Sequence, residues 1–169
     1  MRPCAASASP LQEAGDIDSN TRNYQNVSVV EAAFEGFGTT KNRAAGLARN
    51  DWVLSLDSDE VILPALLDEI AHLKLDDMNV VFRIKRDNYF LGKHVKHSGW
   101  GNDRLVRIYN RQIHRFTDSA VHEKIELANG TITKPLIHSF KHNAVQDINQ
   151  FLYKVIKYSD LAAKDKKTC

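Results

Sequence analysis

Residues 51–60 read Asp51-Trp52-Val53-Leu54-Ser55-Leu56-Asp57-Ser58-Asp59-Glu60, an apolar run that ends in acidic side chains. A short run of nearly continuous hydrophobicity is typical of a strand covered on both faces in a parallel or mixed sheet. Side chains two apart on a strand point the same way, so Asp57 and Asp59 can face one point. Ligands of open α/β sheets bind outside the carboxyl ends of the strands, which is where this stretch places its acids.

The chemistry of this acidic turn has two interpretations. Two close carboxylates repel each other unless a cation or proton lies between them, and Mg²⁺ or Mn²⁺ would relieve the repulsion and hold a diphosphate. The alternative is a solvated turn that starts a helix, since Pro64 follows and acids are favourable near a helix N-terminus.

Composition restricts the class of protein. The chain has 169 residues, 43% hydrophobic and 26% charged, which is ordinary for one globular domain with a core. Its net charge of +2 gives no support for nucleic-acid binding. Cys4 and Cys169 offer neither a disulfide framework nor metal-ligand spacing, which fits a reducing cytoplasm. No apolar run approaches the roughly 20 residues that span a bilayer, so we expect a soluble or peripheral protein.

Hydrophobic periodicity predicts an α/β fold after a poorly determined leader at residues 1–26. Strands are expected at 27–30, 52–56, 79–86, 104–109 and 131–140, and helices at 41–49 and 64–73. The first strand, helix and second strand predict a parallel pair with a crossover. Pro135 within the last strand suits a sheet edge.

Two segments predict which side chains are buried. In the helix at 64–73, Leu66, Leu67, Ile70 and Leu73 share one face. The strand at 79–86 alternates, as expected of a half-exposed strand. One face carries Val80, Phe82 and Ile84, and the other carries Val81, Arg83 and Lys85.

Residues 89–104 mix aromatics, cations and glycines, a composition more typical of a binding loop than of a simple connector. Aromatic faces beside hydrogen-bonding groups suit carbohydrate. Asp103, just beyond Trp100, is a candidate general base for a sugar hydroxyl. Its alternative role is an ion pair with Arg104 or Arg107.

Residues 121–123, Val-His-Glu, close another candidate strand. His122 is a candidate metal ligand, and Glu123 a candidate base or orienting residue. The alternative is a hydrogen-bonded histidine at a sheet edge with an ordinary glutamate. The isolated His138 and His142 are given no direct chemical role.

Residues 146–169 predict an amphipathic helix followed by a basic tail. Its apolar positions at helical spacing are Ile148, Phe151, Leu152, Val155, Tyr158 and Ala162. Packing on the core is one interpretation of this face. The other is contact of the helix and its lysines with an anionic membrane surface.

Five segments, taken in order, resemble family 2 glycosyltransferases, and more narrowly the bacterial lipopolysaccharide inner-core β-1,4-glucosyltransferases. They are residues 38–44 (Gly-Thr-Thr-Lys-Asn-Arg-Ala), 52–60, 89–92 (Tyr-Phe-Leu-Gly), 99–103 (Gly-Trp-Gly-Asn-Asp) and 121–123. The resemblance runs from about residue 27 to residue 163. It implies a GT-A-like (Rossmann-like) mixed sheet flanked by helices at 27–145, and a divalent metal at an Asp-x-Asp motif.

The resemblance also implies an inverting transfer of a hexose from a nucleotide-sugar, with UDP-glucose as donor and a lipopolysaccharide core sugar as acceptor. The enzyme would work in the cytoplasm, at the cytoplasmic face of the inner membrane. Asp57 would lie near the donor ribose and the metal, and Asp59 would be the direct metal ligand. Lys41 and Asn42 match a donor-side motif.

On the acceptor side, the resemblance places Asp103 at the position of the base, with Glu123 as the second candidate. Trp100 would line the acceptor site.

The chain departs from the family at its beginning. No opening strand is visible, and residues 16–21 resemble an eroded remnant of the second family motif. We therefore expect an N-terminally truncated domain, and the alternative function is an inactive remnant that only binds a sugar or partner. A nucleotidyltransferase would also use paired acids, but the glycine-rich phosphate loop it needs is not found.

Overall fold

A computed structural model of the chain describes residues 4–7, 24–97, 99–118, 123–149, 151–153, 155, 156 and 159. These residues form a mixed α/β structure with a strand-rich sheet and few helices. The elements in chain order are β1 (Cys4–Ser7), α1 (Phe37–Gly46), β2 (Trp52–Leu56), β3 (Glu60–Ile62), α2 (Pro64–Ala71), β4 (Val80–Phe90), β5 (Lys93–His94), β6 (Asp103–Asn110), β7 (Arg115–Phe116), β8 (Ile125–Glu126) and β9 (Ile132–Val145).

The main sheet has the strand order β1-β2-β6-β4-β9-β3, with β5 paired to β4, and β7 and β8 form a separate hairpin. Strand β1 is parallel to β2, and β4 is parallel to β9. Strand β6 is antiparallel to both β2 and β4. Four strands, β1, β2, β4 and β9, therefore run in one direction, and we call the edge where they finish the carboxyl end of the sheet.

Both faces of the sheet are covered near its centre. On one face, α2 contributes Leu66 and Ile70 to a cluster that includes Trp52, Leu54, Phe82, Ile84, Ile108 and Phe140. On the other face, Ala45 of α1 joins Val53, Val81, Tyr109 and Phe116. Strand β2 therefore buries both of its faces, which explains its nearly continuous hydrophobicity.

Most of the predicted elements are confirmed, with shifted ends. Helix α1 begins at Phe37 rather than residue 41, because Gly36 is its N-cap with φ 111°. That backbone conformation favours glycine, and the Thr40 hydroxyl donates to the Gly36 carbonyl at 2.7 Å. Strand β9 pairs with β3 at residues 140–142, and Pro135 lies before that pairing, where β4 is the described neighbour of β9. The edge position expected for Pro135 is therefore confirmed.

The expected opening of the sheet is wrong in two ways. Residues 27–30 form no strand, and Val27, Val29 and Val30 are exposed. Instead, Cys4–Ser7, inside the predicted leader, is the parallel neighbour of β2, with Cys4 opposite Val53 and Ser7 opposite Leu56. Three of these four residues are alanine or serine, which give little strand signal, so the pairing depends on the available edge of β2 rather than on local propensity.

Two burial predictions also need correction. Leu67 is 60% exposed, because α2 turns only Leu66 and Ile70 fully into the core. Val81 is fully buried, because the cluster beneath α1 covers the face of β4 that was expected to be open.

The C-terminal segment is helical at residues 148, 149, 151–153, 155, 156 and 159. The Phe151 ring packs edge-on against Phe90, with 5.6 Å between ring centroids. Ile148, Leu152 and Val155 are about half exposed, so core packing is wrong for these three, and Tyr158 and Ala162 lie outside the described residues. Among the helices described, none has the length and apolar character needed to cross a bilayer.

Adjacent leucines of α2 provide a matched test of this packing. Leu66→Ala should lower the free energy of unfolding by about 2–5 kcal/mol, because it opens a cavity in the core. Leu67→Ala should change it by less than about 1 kcal/mol, since that side chain is mostly exposed. Urea unfolding followed by circular dichroism measures both, and equal losses would contradict the observed orientation of α2.

Candidate active site

The Asp57 carboxylate lies between two cations just beyond β2. Lys41 Nζ of α1 is 2.8 Å from Asp57 Oδ1, and Arg107 Nη2 of β6 is 3.0 Å from Asp57 Oδ2. Lys41 and Arg107 are only 5% and 3% exposed. The sequence predicts a cation between Asp57 and Asp59. At Asp57, Lys41 and Arg107 supply that positive charge.

Each of these cations contacts a second carboxylate. Lys41 Nζ is 2.7 Å from Glu123 Oε1, and Arg107 Nη2 donates to Glu60 Oε1. Glu60 Oε2 accepts the Asp57 backbone N–H at 3.0 Å. We call these three carboxylates and two cations the charge cluster. It joins α1, the end of β2, β3, β6 and the segment that contains Glu123.

Aromatic rings line the same cluster. Lys41 Nζ lies 5.2 Å from the centroid of the Phe116 ring, and Arg107 Cζ lies 5.6 Å from that of Phe140. Both distances are within the range of a cation–π interaction, which helps a cation remain away from water.

Burial acts on the two inner carboxyls with different outcomes. For Asp57, burial would raise the pKa, but Arg107 and Lys41 outweigh it and hold the pKa below its usual range. For Glu60, burial is the stronger effect despite Arg107, and it raises the pKa. Asp57 therefore contributes stability above its unfolded pKa that is lost as pH falls through its lower folded pKa. The raised pKa of Glu60 has the opposite effect on the pH dependence of stability. Raising the pH through the unfolded pKa of Glu60 lowers the stability of the folded state, because the charged form is costly to bury.

Asp59 faces a histidine instead of the charge cluster. His142 Nε2 of β9 is 3.4 Å from Asp59 Oδ2. His142 Nδ1 is 2.6 Å from Asn88 Oδ1, and Asn88 Nδ2 donates to the Trp100 carbonyl at 2.9 Å. Because the Asn88 amide nitrogen is used in that way, its oxygen faces the ring, and Nδ1 carries a hydrogen. The Nε2 atom is thereby turned toward Asp59.

Asn42, a predicted donor ligand, makes two hydrogen bonds to one backbone unit. Its Nδ2 donates to the Phe116 carbonyl at 2.9 Å, and its Oδ1 accepts the Phe116 N–H at 2.7 Å. These bonds hold Phe116 beside Lys41. The residue therefore has a structural role here, and its contact with a donor stays a prediction.

Asp103 forms an ion pair, but with a different partner from those expected. Arg86 Nε donates to Asp103 Oδ2 at 2.9 Å, and Arg86 is the cross-strand neighbour of Asp103. The partner predicted from the sequence, Arg104 or Arg107, is therefore wrong. Trp100 is 43% exposed, while its backbone carbonyl is fixed by Asn88.

The predicted metal ligands are not assembled as one group. His122 lies outside the described residues. Within the described ranges, no group of three or more His, Cys, Asp or Glu side chains is arranged to hold a metal ion. Asp57 contacts Lys41 and Arg107, and Asp59 lies beside His142.

Sequence reasoning missed three residues of this site. Glu60 and Arg107 complete the charge cluster, and His142 faces Asp59. A lone arginine within the otherwise apolar run at residues 105–109 was the available signal for Arg107, because a charge there needs a buried partner. No protein-family model matches the chain.

Removing the inner cation tests the charge cluster. Arg107→Leu should cost about 3–5 kcal/mol in unfolding free energy, because it leaves the fully buried Glu60 carboxylate unpaired. Adding Glu60→Gln should recover part of that loss, since a neutral amide is cheaper to bury. Denaturant unfolding at neutral pH measures the unmodified chain, Arg107→Leu, Glu60→Gln and the double variant. Losses that simply add in the double variant would show that the two residues are not coupled.

Proposed function

We propose that the chain is an inverting glycosyltransferase of the family 2 type, with a GT-A-like fold. It would move a hexose from a nucleotide-sugar to a lipopolysaccharide core acceptor in the cytoplasm, at the inner membrane. The observation that carries this proposal is the position of Asp57 and Asp59. They follow β2 at the carboxyl end of the sheet, where α/β proteins bind their ligands.

Contacts between distant segments support the proposal. Lys41, Asp57 and Glu123 belong to three different segments of the resemblance, and Lys41 lies within 3 Å of both carboxylates. Trp100, from a fourth segment, is joined through Asn88 to His142 and Asp59. Segments separated by up to 82 residues thus meet at one end of the sheet.

The proposed chemistry assigns a separate task to each group. A base takes the proton of the acceptor hydroxyl while that oxygen attacks the anomeric carbon and the bond to the diphosphate breaks. Asp103 and Glu123 remain the two candidates for the base. Trp100 exposes a ring on which the C–H face of a sugar can stack. We propose UDP-glucose as the donor.

A divalent cation, Mg²⁺ or Mn²⁺, is implied by the resemblance, and the donor set at Asp59 fits one. The carboxylate of Asp59 and the anchored imidazole of His142 would hold it, and Mn²⁺ accepts both donor types. Ions in phosphate-transferring sites commonly take only one or two protein carboxylates and complete their shell with substrate phosphates and water. When bound, it would offset the charge on the departing diphosphate.

A second function has its own supporting observation. Asp57 and Glu123 both make ion pairs with Lys41. An inactive remnant that binds a sugar or partner through Trp100 would retain the same contacts, because they also stabilise the fold. Donor binding and turnover separate the two functions.

Calorimetric titration with UDP-glucose, with and without Mn²⁺, tests the donor site. We expect metal-dependent binding that Asp59→Ala abolishes, because the variant removes the carboxylate ligand. Asp68→Ala, on the exposed surface of α2, is the matched control and should bind like the unmodified chain. Loss of binding in both variants, or none by the folded unmodified chain, would contradict the proposal.

Turnover with a lipopolysaccharide core acceptor then identifies the base. The correct variant, Asp103→Asn or Glu123→Gln, should lose about 10²–10⁴-fold in rate while keeping donor affinity. Donor binding without turnover by the unmodified chain would favour the inactive remnant.

A further inference from the structure

One face of the sheet carries a group of cations beyond the area that α1 covers. They are Arg83 and Lys85 on β4, Arg104 on β6 and Lys141 on β9, and we call this group the basic face. Val81, two residues before Arg83, is fully buried in the cluster beneath α1, whereas Arg83 is exposed. The cover provided by α1 therefore ends between these two positions.

Strand register brings the basic face together. Lys85 is opposite Arg104 on one side and Ser139 on the other, and Asp87 is opposite Lys141. Directly paired residues on neighbouring strands share a face. Strands lie about 5 Å apart and successive same-face residues about 7 Å apart, so the four cations fall within a patch roughly 15 Å across.

The charges of the basic face are poorly balanced. Asp87 is the acid among them, and it contacts Lys85 at 3.0 Å, accepts from the Ser139 hydroxyl, and lies 3.5 Å from His94. Arg83 and Arg104 make no ion pair within the described part of the chain. Four cations thus oppose one carboxylate, although the net charge of the whole chain is only +2.

The surroundings of the patch favour one kind of anionic partner. The Tyr89 ring is stacked on His94 at 5.0 Å and lies 4.5 Å from Lys141 Nζ, so it is not an open platform for nucleic-acid bases. A group of exposed and half-exposed cations on one face of a sheet suits the headgroup region of an anionic bilayer.

We propose that the basic face binds the surface of a bilayer that contains anionic lipids. This surface differs from the C-terminal helix and lysine tail, for which membrane contact is one of the two interpretations of the sequence. Arg104 follows Asp103 and Lys141 precedes His142, so the basic face lies at the same end of the sheet as these two residues but on the opposite face. The proposal does not depend on the chain being a transferase, because it concerns binding alone.

Co-sedimentation with vesicles tests it, using phosphatidylcholine with and without phosphatidylglycerol. The unmodified chain should bind only the anionic vesicles, and added salt should release it. Removing two cations in Arg83→Gln/Arg104→Gln should weaken partitioning by roughly 25-fold, at about fivefold for each cation. Both side chains are exposed, so the variant should fold, which circular dichroism checks.

The control is Arg49→Gln/Lys74→Gln, which removes the same net charge at two exposed positions outside the basic face. It should keep most of the binding. Equal losses in the two double variants would overturn the proposal, because net charge rather than this surface would then drive binding. Undiminished binding by Arg83→Gln/Arg104→Gln, or no binding by the folded unmodified chain, would also overturn it.

Discussion

The contact of Asp57 with Lys41 and Arg107 is the constraint on which the carboxyl end of the sheet depends. Both cations are almost completely buried, and charges held away from water are tolerated only when they are paired. Each therefore needs its second carboxylate, Glu123 or Glu60. A helix, three strands and a distant segment are held in register by one set of ion pairs.

This constraint gives the two acids of the turn different surroundings. Asp57 is anchored by cations, and its ionised form is favoured despite burial. Asp59 faces His142, whose ring is oriented from behind by Asn88. The first acid is therefore suited to fix the turn. The electrostatic repulsion expected from two neighbouring carboxylates is relieved at Asp57 by the protein itself.

Local sequence predicted the elements well where burial is continuous or periodic. The apolar run before Asp57 predicted β2, because a doubly covered strand needs such a run. Pairings between strands that are distant in the sequence could not be predicted from local sequence. Local propensity favours residues 27–30, which do not join the sheet, over Cys4–Ser7, which does. Likewise, Arg107 and His142 reach the acids only through the registers of β6 and β9.

The most direct test of this account is a carbon-13 NMR titration of the Asp57 carboxyl, in the unmodified chain and in Lys41→Met. We predict a midpoint below the ordinary value of 3.8 in the unmodified chain, because Arg107 and Lys41 favour the ionised form. The midpoint should rise when Lys41 is removed. A midpoint at or above 3.8 in the folded unmodified chain would contradict the account, since Asp57 would then not be held between two cations.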